Sequence, residues 1–326
     1  MVKRMMPFMN LLYPDITPFN HFYMPVADRC NTASDGDEIY VEQCGNANGI
    51  PVIFLHGGPG SGCNSQHRRY FEPAIYHIIL FDQRGCGRSR PAGKLTSNNL
   101  QSLLSDIEQI RLRLNLDSWL VFGGSWGATL ALLYAQKHRK RVSGLILRGV
   151  FLGRKQDIDW VYTDRGAAKI FPEAWFELIK HLPASEQAEP LANIYQQLLS
   201  EDGEVSDGML NKLQRWESSI VSIDEESHQA KNSTDESHIQ NVKVAAIIRL
   251  YYSLNQCFIA SPILKNVNVI RDVPTHIIHG RYDTVCPVEQ AWLLSQHWPE
   301  AKLTIVPMAG HAGNDPAIID ALVSAT

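Results

Sequence analysis

A serine that acts as a nucleophile needs a base to take its proton, and the base needs an acid to fix its tautomer. Ser125, Asp283 and His311 offer the three side chains in that chain order. Gly123-Gly124-Ser125-Trp126-Gly127 follows a short apolar run, Trp119-Leu120-Val121-Phe122, and precedes a helical pattern that begins near Ala128. At such a strand-to-helix turn the serine is forced into a strained backbone with its hydroxyl exposed, and small neighbours give it clearance. The Gly-x-Ser-x-Gly pattern is weak alone and gains its force from this context. His276-Ile277-Ile278-His279-Gly280-Arg281-Tyr282-Asp283 reads as a strand with a carboxylate in the turn at its carboxyl end. Leu303-Thr304-Ile305-Val306-Pro307 reads as another strand, followed by Met308-Ala309-Gly310-His311 on a loop.

Acyl transfer at Ser125 would create a negative oxygen, and backbone N–H groups aimed at it lower the barrier; losing one donor costs about 10²–10³ in rate. His56-Gly57-Gly58-Pro59-Gly60 is a glycine-rich turn directly after a strand, and we assign the N–H groups of Gly58 and Trp126 to the oxyanion site. A phosphate-binding loop is the other reading of this turn, but no Gly-Lys-Ser/Thr follows and Pro59 has no N–H. His56 precedes the nucleophile, the wrong place for the base in this order. His276 and His279 lie three apart on a strand, so they face opposite sides and cannot jointly grip a metal; both read as structural. Asp82, beside Gln83-Arg84-Gly85-Cys86-Gly87, reads as a loop-fixing carboxylate, which leaves Asp283 as the acid.

The elements that must position these residues follow from apolar runs bounded by Gly, Pro or Asp. The runs at 38–44, 51–56, 76–82, 118–124, 143–149, 276–280 and 303–307 read as buried strands. Leu100, Leu103, Leu104, Ile107, Ile110 and Leu114 recur at helical spacing between two of them. Strands alternating with helices predict an α/β fold, a mostly parallel sheet covered on both sides. The alternation stops after Gly149 and resumes near Val273, and the block between reads as helical. It contains a helix opening at Phe171-Pro172 and a helical pattern from Val242 through Leu254. It also contains the polar stretch 224–238, expected to be an exposed, mobile connection. Such an insertion is most simply a cap over the strand ends, where open α/β sheets bind ligands.

Composition narrows the function classes. The chain has 326 residues, 44% hydrophobic and 20% charged, enough apolar material for a sizeable core. Thirty Lys and Arg against 34 Asp and Glu leave a net charge of −4 without a long basic run, so neither nucleic acid nor an anionic membrane is an expected partner. Six cysteines without a Cys-x-x-Cys pair point to reduced thiols and a cytoplasmic location. Lys3 and Arg4 precede a short apolar stretch, but Pro7 and Asn10 interrupt it and Tyr13-Pro14-Asp15 follows where small residues should mark a cleavage site. No stretch approaches the roughly 18 apolar residues of a membrane span, so a soluble protein is expected.

On these residues the chain resembles the proline iminopeptidases, serine aminopeptidases of the α/β-hydrolase fold. The similarity covers Leu12-Tyr13-Pro14, Glu42-Gln43-Cys44-Gly45-Asn46, the turn at His56 to Gly60, the run from Asp82 to Arg90, the nucleophile motif, and the segments carrying Asp283 and His311. Asp82-Gln83-Arg84-Gly85-Cys86-Gly87-Arg88-Ser89 together with Gly123-Gly124-Ser125-Trp126-Gly127 is much narrower than the general hydrolase pattern. The resemblance implies an α/β-hydrolase core at 1–151 and 267–326 with a helical cap at 152–266. It also implies release of an N-terminal residue, preferentially proline, from peptides with a free N-terminus through an acyl-enzyme. Ser125, Asp283 and His311 would be the triad, with neither a metal nor an organic cofactor. Trp216-Glu217 matches a pair that in the family binds the substrate's amino group, and a charge-assisted hydrogen bond there is worth about 1.5–3 kcal/mol.

The chain departs from the family in one place. Where a second carboxylate is usual on a later cap helix, Ala246-Ile247-Ile248-Arg249-Leu250-Tyr251-Tyr252 carries Arg249, and no Asp or Glu occurs from Ile239 to Arg271. Arg249 either pairs with Glu217 and competes with the substrate amine or faces solvent. An esterase or amidase acting on a different small acyl substrate is therefore the alternative activity, and a catalytically silent binding protein the alternative class. Cys286, three residues beyond Asp283, reads either as a thiol whose modification affects activity or as a buried structural one.

Overall fold

The computed structural model describes residues 11–27, 33–221 and 236–326. Its centre is an eight-stranded sheet in the order β1-β2-β4-β3-β5-β6-β7-β8. The strands are β1 (Asn20–Ala27), β2 (Ala33–Gly45), β3 (Ile50–Leu55), β4 (Tyr76–Phe81), β5 (Trp119–Gly124), β6 (Val142–Arg148), β7 (Thr275–Gly280) and β8 (Lys302–Val306). From β4 through β3, β5, β6 and β7 to β8 every pairing is parallel, whereas β1–β2 and β2–β4 are antiparallel. Each of the seven runs read as strands is a strand here, and the fold is the α/β hydrolase arrangement with a mixed, mostly parallel sheet.

The central strands read so clearly because both their faces are covered. β4 is buried at every residue and β3 at its last four, so their apolar runs are nearly continuous. β1 was not expected. It is an edge strand whose Pro25 demotes it as a strand pattern, and an edge is where a strand tolerates proline. Pairing with β1 also carries β2 beyond the 38–44 run.

Two helices fix the central strands. α1 (Leu100–Arg113) buries Leu100, Leu103, Leu104, Ile107 and Ile110, and its first turn is capped by Asn99, whose side chain accepts from the Ser102 N–H. α2 (Trp126–Lys137) is buried along most of its length and packs against β3, β5 and β6.

Between β6 and β7 lies the inserted helical region. It comprises α3 (Lys155–Tyr162), α4 (Pro172–Ile179), α5 (Leu191–Leu198), α6 (Gly203–Val221) and α7 (Glu236–Leu254). α4 opens with Pro172 in its first turn, as the sequence suggests. The buried Trp175 of α4 meets the fully buried Trp216 of α6 edge to face, ring centroids 5.1 Å apart. Of the 224–238 stretch, residues 224–235 lie outside the described residues, and 236–238 open α7. α8 (Glu289–His297) and α9 (Pro316–Val323) complete the chain. Among the described residues no helix is long and apolar enough to cross a membrane.

Candidate active site

Ser125 stands between β5 and α2 with φ +57° and ψ −123°, a left-handed conformation that side-chain-bearing residues rarely adopt. Its N–H is held by the Arg148 carbonyl at 2.8 Å, which ties the turn to the end of β6. The turn is also pressed against β3. A Cβ on Gly127 would lie 1.9 Å from the Leu55 carbonyl oxygen, so only glycine fits. These contacts supply the clearance that the sequence pattern implied.

The carboxyl ends of β7 and β8 bring the other two residues to the serine. His311 Nε2 lies 3.1 Å from Ser125 Oγ, and its Nδ1–H donates to Asp283 Oδ2 at 2.7 Å. Asp283 Oδ1 accepts from the N–H groups of Val285 (3.0 Å) and Cys286 (2.7 Å), which fixes the carboxylate plane. Arg148 donates from Nη1 to the His311 carbonyl at 2.6 Å and so holds the histidine loop. Asp283 and His311 are buried. Burial by itself would raise the Asp283 pKa, but the His311 imidazole beside it, together with His279, holds the carboxyl well below the usual range. Burial pulls the His311 pKa below the ordinary histidine value; Asp283 opposes this, and Arg148 adds to it. An ionised Asp283 beneath a neutral imidazole leaves a lone pair on Nε2 facing the serine hydroxyl.

His279 has a contact that its reading as a structural residue did not include. Its Nδ1 accepts from the Val150 N–H at 3.0 Å, so the ring hydrogen sits on Nε2. Nε2 donates to the Cys286 carbonyl at 2.7 Å and lies 3.3 Å from Asp283 Oδ2. The four-residue spacing to Asp283 was the only signal in the sequence, and it says nothing about a turn that folds back. His276 points elsewhere, to Thr304 Oγ1 at 2.8 Å.

The glycine-rich turn after β3 runs over the nucleophile. A Cβ on Gly57 would come within 3.4 Å of Ser125 Cβ and 3.9 Å of Oγ. Gly58 and Ser125 line the same cavity, of about 410 Å³, and Trp126 follows Ser125 at the start of α2, where helix N–H groups lack intrahelical acceptors. His56 is not aimed at the serine: its Nε2 accepts from the Gln83 N–H at 3.0 Å. Asp82 accepts from the N–H groups of Cys63 (2.6 Å) and Arg88 (2.9 Å), a loop-holding arrangement.

The inserted helices form the far wall of the cavity with Ile158, Val161, Tyr162, Ile220, Glu217 and Arg249. Glu217 faces the cavity as expected, but its carboxylate is engaged. Arg249 donates from Nε to Oε1 at 2.7 Å and from Nη2 to Oε2 at 2.5 Å, and the Tyr162 hydroxyl is 3.4 Å from Oε1. Of the two positions open to Arg249, pairing with Glu217 is the one adopted.

Asp283, Cys286 and His311 also place ligand-type atoms within 4.8 Å of one another. Burial pushes the Cys286 thiol well above its ordinary pKa, so it is protonated, and both Asp283 oxygens and both His311 nitrogens already have hydrogen-bond partners. The donor chemistry suits proton transfer better than metal ligation.

Residues 50–316 match the family described as alpha/beta hydrolase fold. The chain is 41% identical to a proline iminopeptidase of Xylella fastidiosa (strain 9a5c) over 325 residues, 98% of this chain and 99% of that one. It is 42% identical to a proline iminopeptidase of Arabidopsis thaliana over 96% of this chain and 80% of the relative. Among solved structures, an esterase from Exiguobacterium antarcticum superposes with a TM-score of 0.60 at 20% identity, over 93% of this chain and 98% of that one. That last likeness concerns the fold alone.

Proposed function

This chain belongs to the alpha/beta-hydrolase family and, within it, to the proline iminopeptidases, serine-hydrolase-type enzymes; on that premise we propose that it releases an N-terminal residue, preferentially proline, from peptides through an acyl-enzyme. The observation that carries the reading is the hydrogen-bonded line from Ser125 through His311 to Asp283 on one side of the pocket. In this reading Ser125 Oγ attacks the carbonyl carbon of the first residue while His311 Nε2 takes the hydroxyl proton. The oxygen that becomes negative is stabilised by the N–H groups of Gly58 and Trp126. The C–N bond then breaks, His311 returns the proton to the leaving amine, and the acyl group stays on Ser125. Water, deprotonated by the same imidazole, attacks the acyl carbon; the bond to Ser125 Oγ breaks, His311 returns the proton to Oγ, and the residue leaves. Asp283 keeps the Nδ1–H tautomer and stabilises the imidazolium that forms in each half.

The pocket wall of Ile158, Val161 and Tyr162 supports a small apolar acyl residue, and Glu217, which must exchange its Arg249 partner, is the carboxylate we assign to its amine. The cavity sits under helices of the inserted region, which we assign as a cap spanning 152–266 between the core segments 1–151 and 267–326. Peptides with a free N-terminus are the proposed substrates. The free thiols of Cys44, Cys63, Cys86, Cys257 and Cys286 support a cytoplasmic location.

One observation favours the second reading, an esterase or amidase for a different small acyl group: the Glu217 carboxylate is already neutralised by Arg249. A panel of aminoacyl anilides with and without a free amine, run beside simple acyl esters, separates the two. Turnover of prolyl anilide that stops when the proline nitrogen is acylated supports the aminopeptidase. Turnover of the simple esters alone would overturn it.

A further inference from the structure

The run Asp82-Gln83-Arg84-Gly85-Cys86-Gly87 sets this chain apart as strongly as the nucleophile motif does, yet the acyl-transfer steps use none of its side chains. Gln83 directly follows Asp82 at the carboxyl end of β4 and is 2% exposed, between His56, which ends the β3 run, and Trp126, which opens α2. Its Oε1 accepts from the Trp126 indole Nε1–H at 3.0 Å. Its Nε2 donates to the His56 carbonyl at 2.9 Å. Its own backbone N–H donates to His56 Nε2 at 3.0 Å, which leaves the ring hydrogen on Nδ1, where the Gly57 carbonyl accepts it at 2.9 Å. The amide has a single consistent orientation, because an indole N–H only donates and a carbonyl only accepts.

We propose that Gln83 is a positioning residue that sets the spacing between the two halves of the oxyanion site. One end of its side-chain amide holds the residue whose backbone N–H is one donor, Trp126. The other end holds the backbone two residues before the second donor, Gly58. The two donors come from different segments, the loop after β3 and the start of α2, and Gln83 hydrogen-bonds to both segments from a third, the loop after β4. Such donors act only when held at about 2.7–3.1 Å from the developing oxyanion, and a buried bridge bonded at both ends pre-organises them at no cost during the reaction. Replacing Gln83 by a side chain of similar length without polar ends leaves the apolar packing and removes the bridge. The inference rests on the acyl-transfer reading and on the assignment of the two donors above.

The test uses the full-length protein with Gln83→Met, which cuts both arms, and Trp126→Phe, which cuts one while keeping the backbone donor. Hydrolysis of prolyl 4-nitroanilide and of 4-nitrophenyl acetate is measured together with inhibition by a proline-like boronic acid, by phenylboronic acid and by pyrrolidine. A boronate forms a tetrahedral adduct on the serine oxygen and needs the oxyanion site, whereas pyrrolidine has the ring amine and no acyl oxygen. For Gln83→Met we expect kcat to fall about 10- to 100-fold with KM within about threefold. Boronate affinity should fall in parallel, with pyrrolidine affinity unchanged. Trp126→Phe should show the same pattern at smaller amplitude. Retention of kcat and boronate affinity within about threefold in Gln83→Met, or a loss shared equally by pyrrolidine affinity, would overturn the proposal. If the wild-type protein cleaves only the ester, the substrate reading fails and the same comparison is read on the ester and phenylboronic acid. A wild-type protein inert to both substrates would remove the acyl-transfer reading and this inference with it.

Discussion

In the proposed reaction His311 must be uncharged when Ser125 gives up its proton, and its surroundings set the pH at which that holds. Burial disfavours the imidazolium, Asp283 favours it, Arg148 disfavours it, and the net direction is downward from the ordinary value. A base with a lowered pKa is protonated, and idle, only below that pKa. The kcat/KM for prolyl anilide should therefore rise with pH through a midpoint under about 6.5 and be flat across neutrality. A midpoint above 7 would contradict the assigned environment. A second prediction concerns Arg249. With the guanidinium removed in Arg249→Gln, Glu217 loses its cationic partner and retains the Tyr162 hydroxyl, so a substrate ammonium meets no cationic competitor. The KM for prolyl anilide should drop roughly ten- to a hundredfold, in keeping with one charge-assisted hydrogen bond. The KM for its N-acetyl form should not change, and a parallel change in both would point to simple reshaping of the pocket. The hydrogen-bonded grouping of Ser125, His311 and Asp283 was legible at this scale because chemistry restricts such groups to few residue types in one chain order. The Glu217–Arg249 contact was legible only as one of two alternatives, because its partners are 32 residues apart on different helices.

At the scale of elements, the site depends on how closely β3 approaches α2. A methyl group on Gly127 would have to occupy space 1.9 Å from the Leu55 carbonyl oxygen, which is backbone and cannot rotate away. Gly127→Ala should cost about 1–3 kcal/mol by overpacking, a fall of roughly 1.5–4.5 °C in Tm on a thermal scan. It should lower kcat as well, because a shifted α2 carries the Trp126 N–H with it. An unchanged Tm would mean that the strand and helix are not in the contact described. The buried parallel strands were readable because two covered faces leave a continuous apolar run, whereas β1, an edge strand containing Pro25, left no comparable pattern. α4 and α7 were legible from a first-turn proline and from apolar spacing. The turn by which His279 reaches Asp283 was not, since one-dimensional periodicity ends where the strand does.

At the scale of the molecule, the inserted helical region holds the catalytic loops as well as covering them. The last residues of α6 accept hydrogen bonds from both: the Ile220 carbonyl from Thr284 Oγ1 at 2.6 Å, and the Val221 carbonyl from the His311 N–H at 3.2 Å. Trp160 of α3 adds a third tie, its indole N–H donating to the Thr284 carbonyl at 2.9 Å. Thr284→Val keeps the shape and removes the first bond, which is worth about 0.5–1.5 kcal/mol. It should reduce kcat/KM roughly two- to tenfold while Tm falls by only a few degrees. A variant with full activity would show that the helices and the aspartate loop are energetically independent. By itself the sequence determined the enzyme class and the alternation of strand and helix, and it picked out the three side chains proposed to react, because local pattern and residue chemistry are properties of short segments. Only the tertiary structure decided that Arg249 neutralises Glu217, that His279 borders Asp283 and that Gln83 joins the turn after β3 to α2. Those outcomes turn on distances of about three ångströms between distant segments, and such distances are fixed by how the whole core packs rather than by any stretch of the chain.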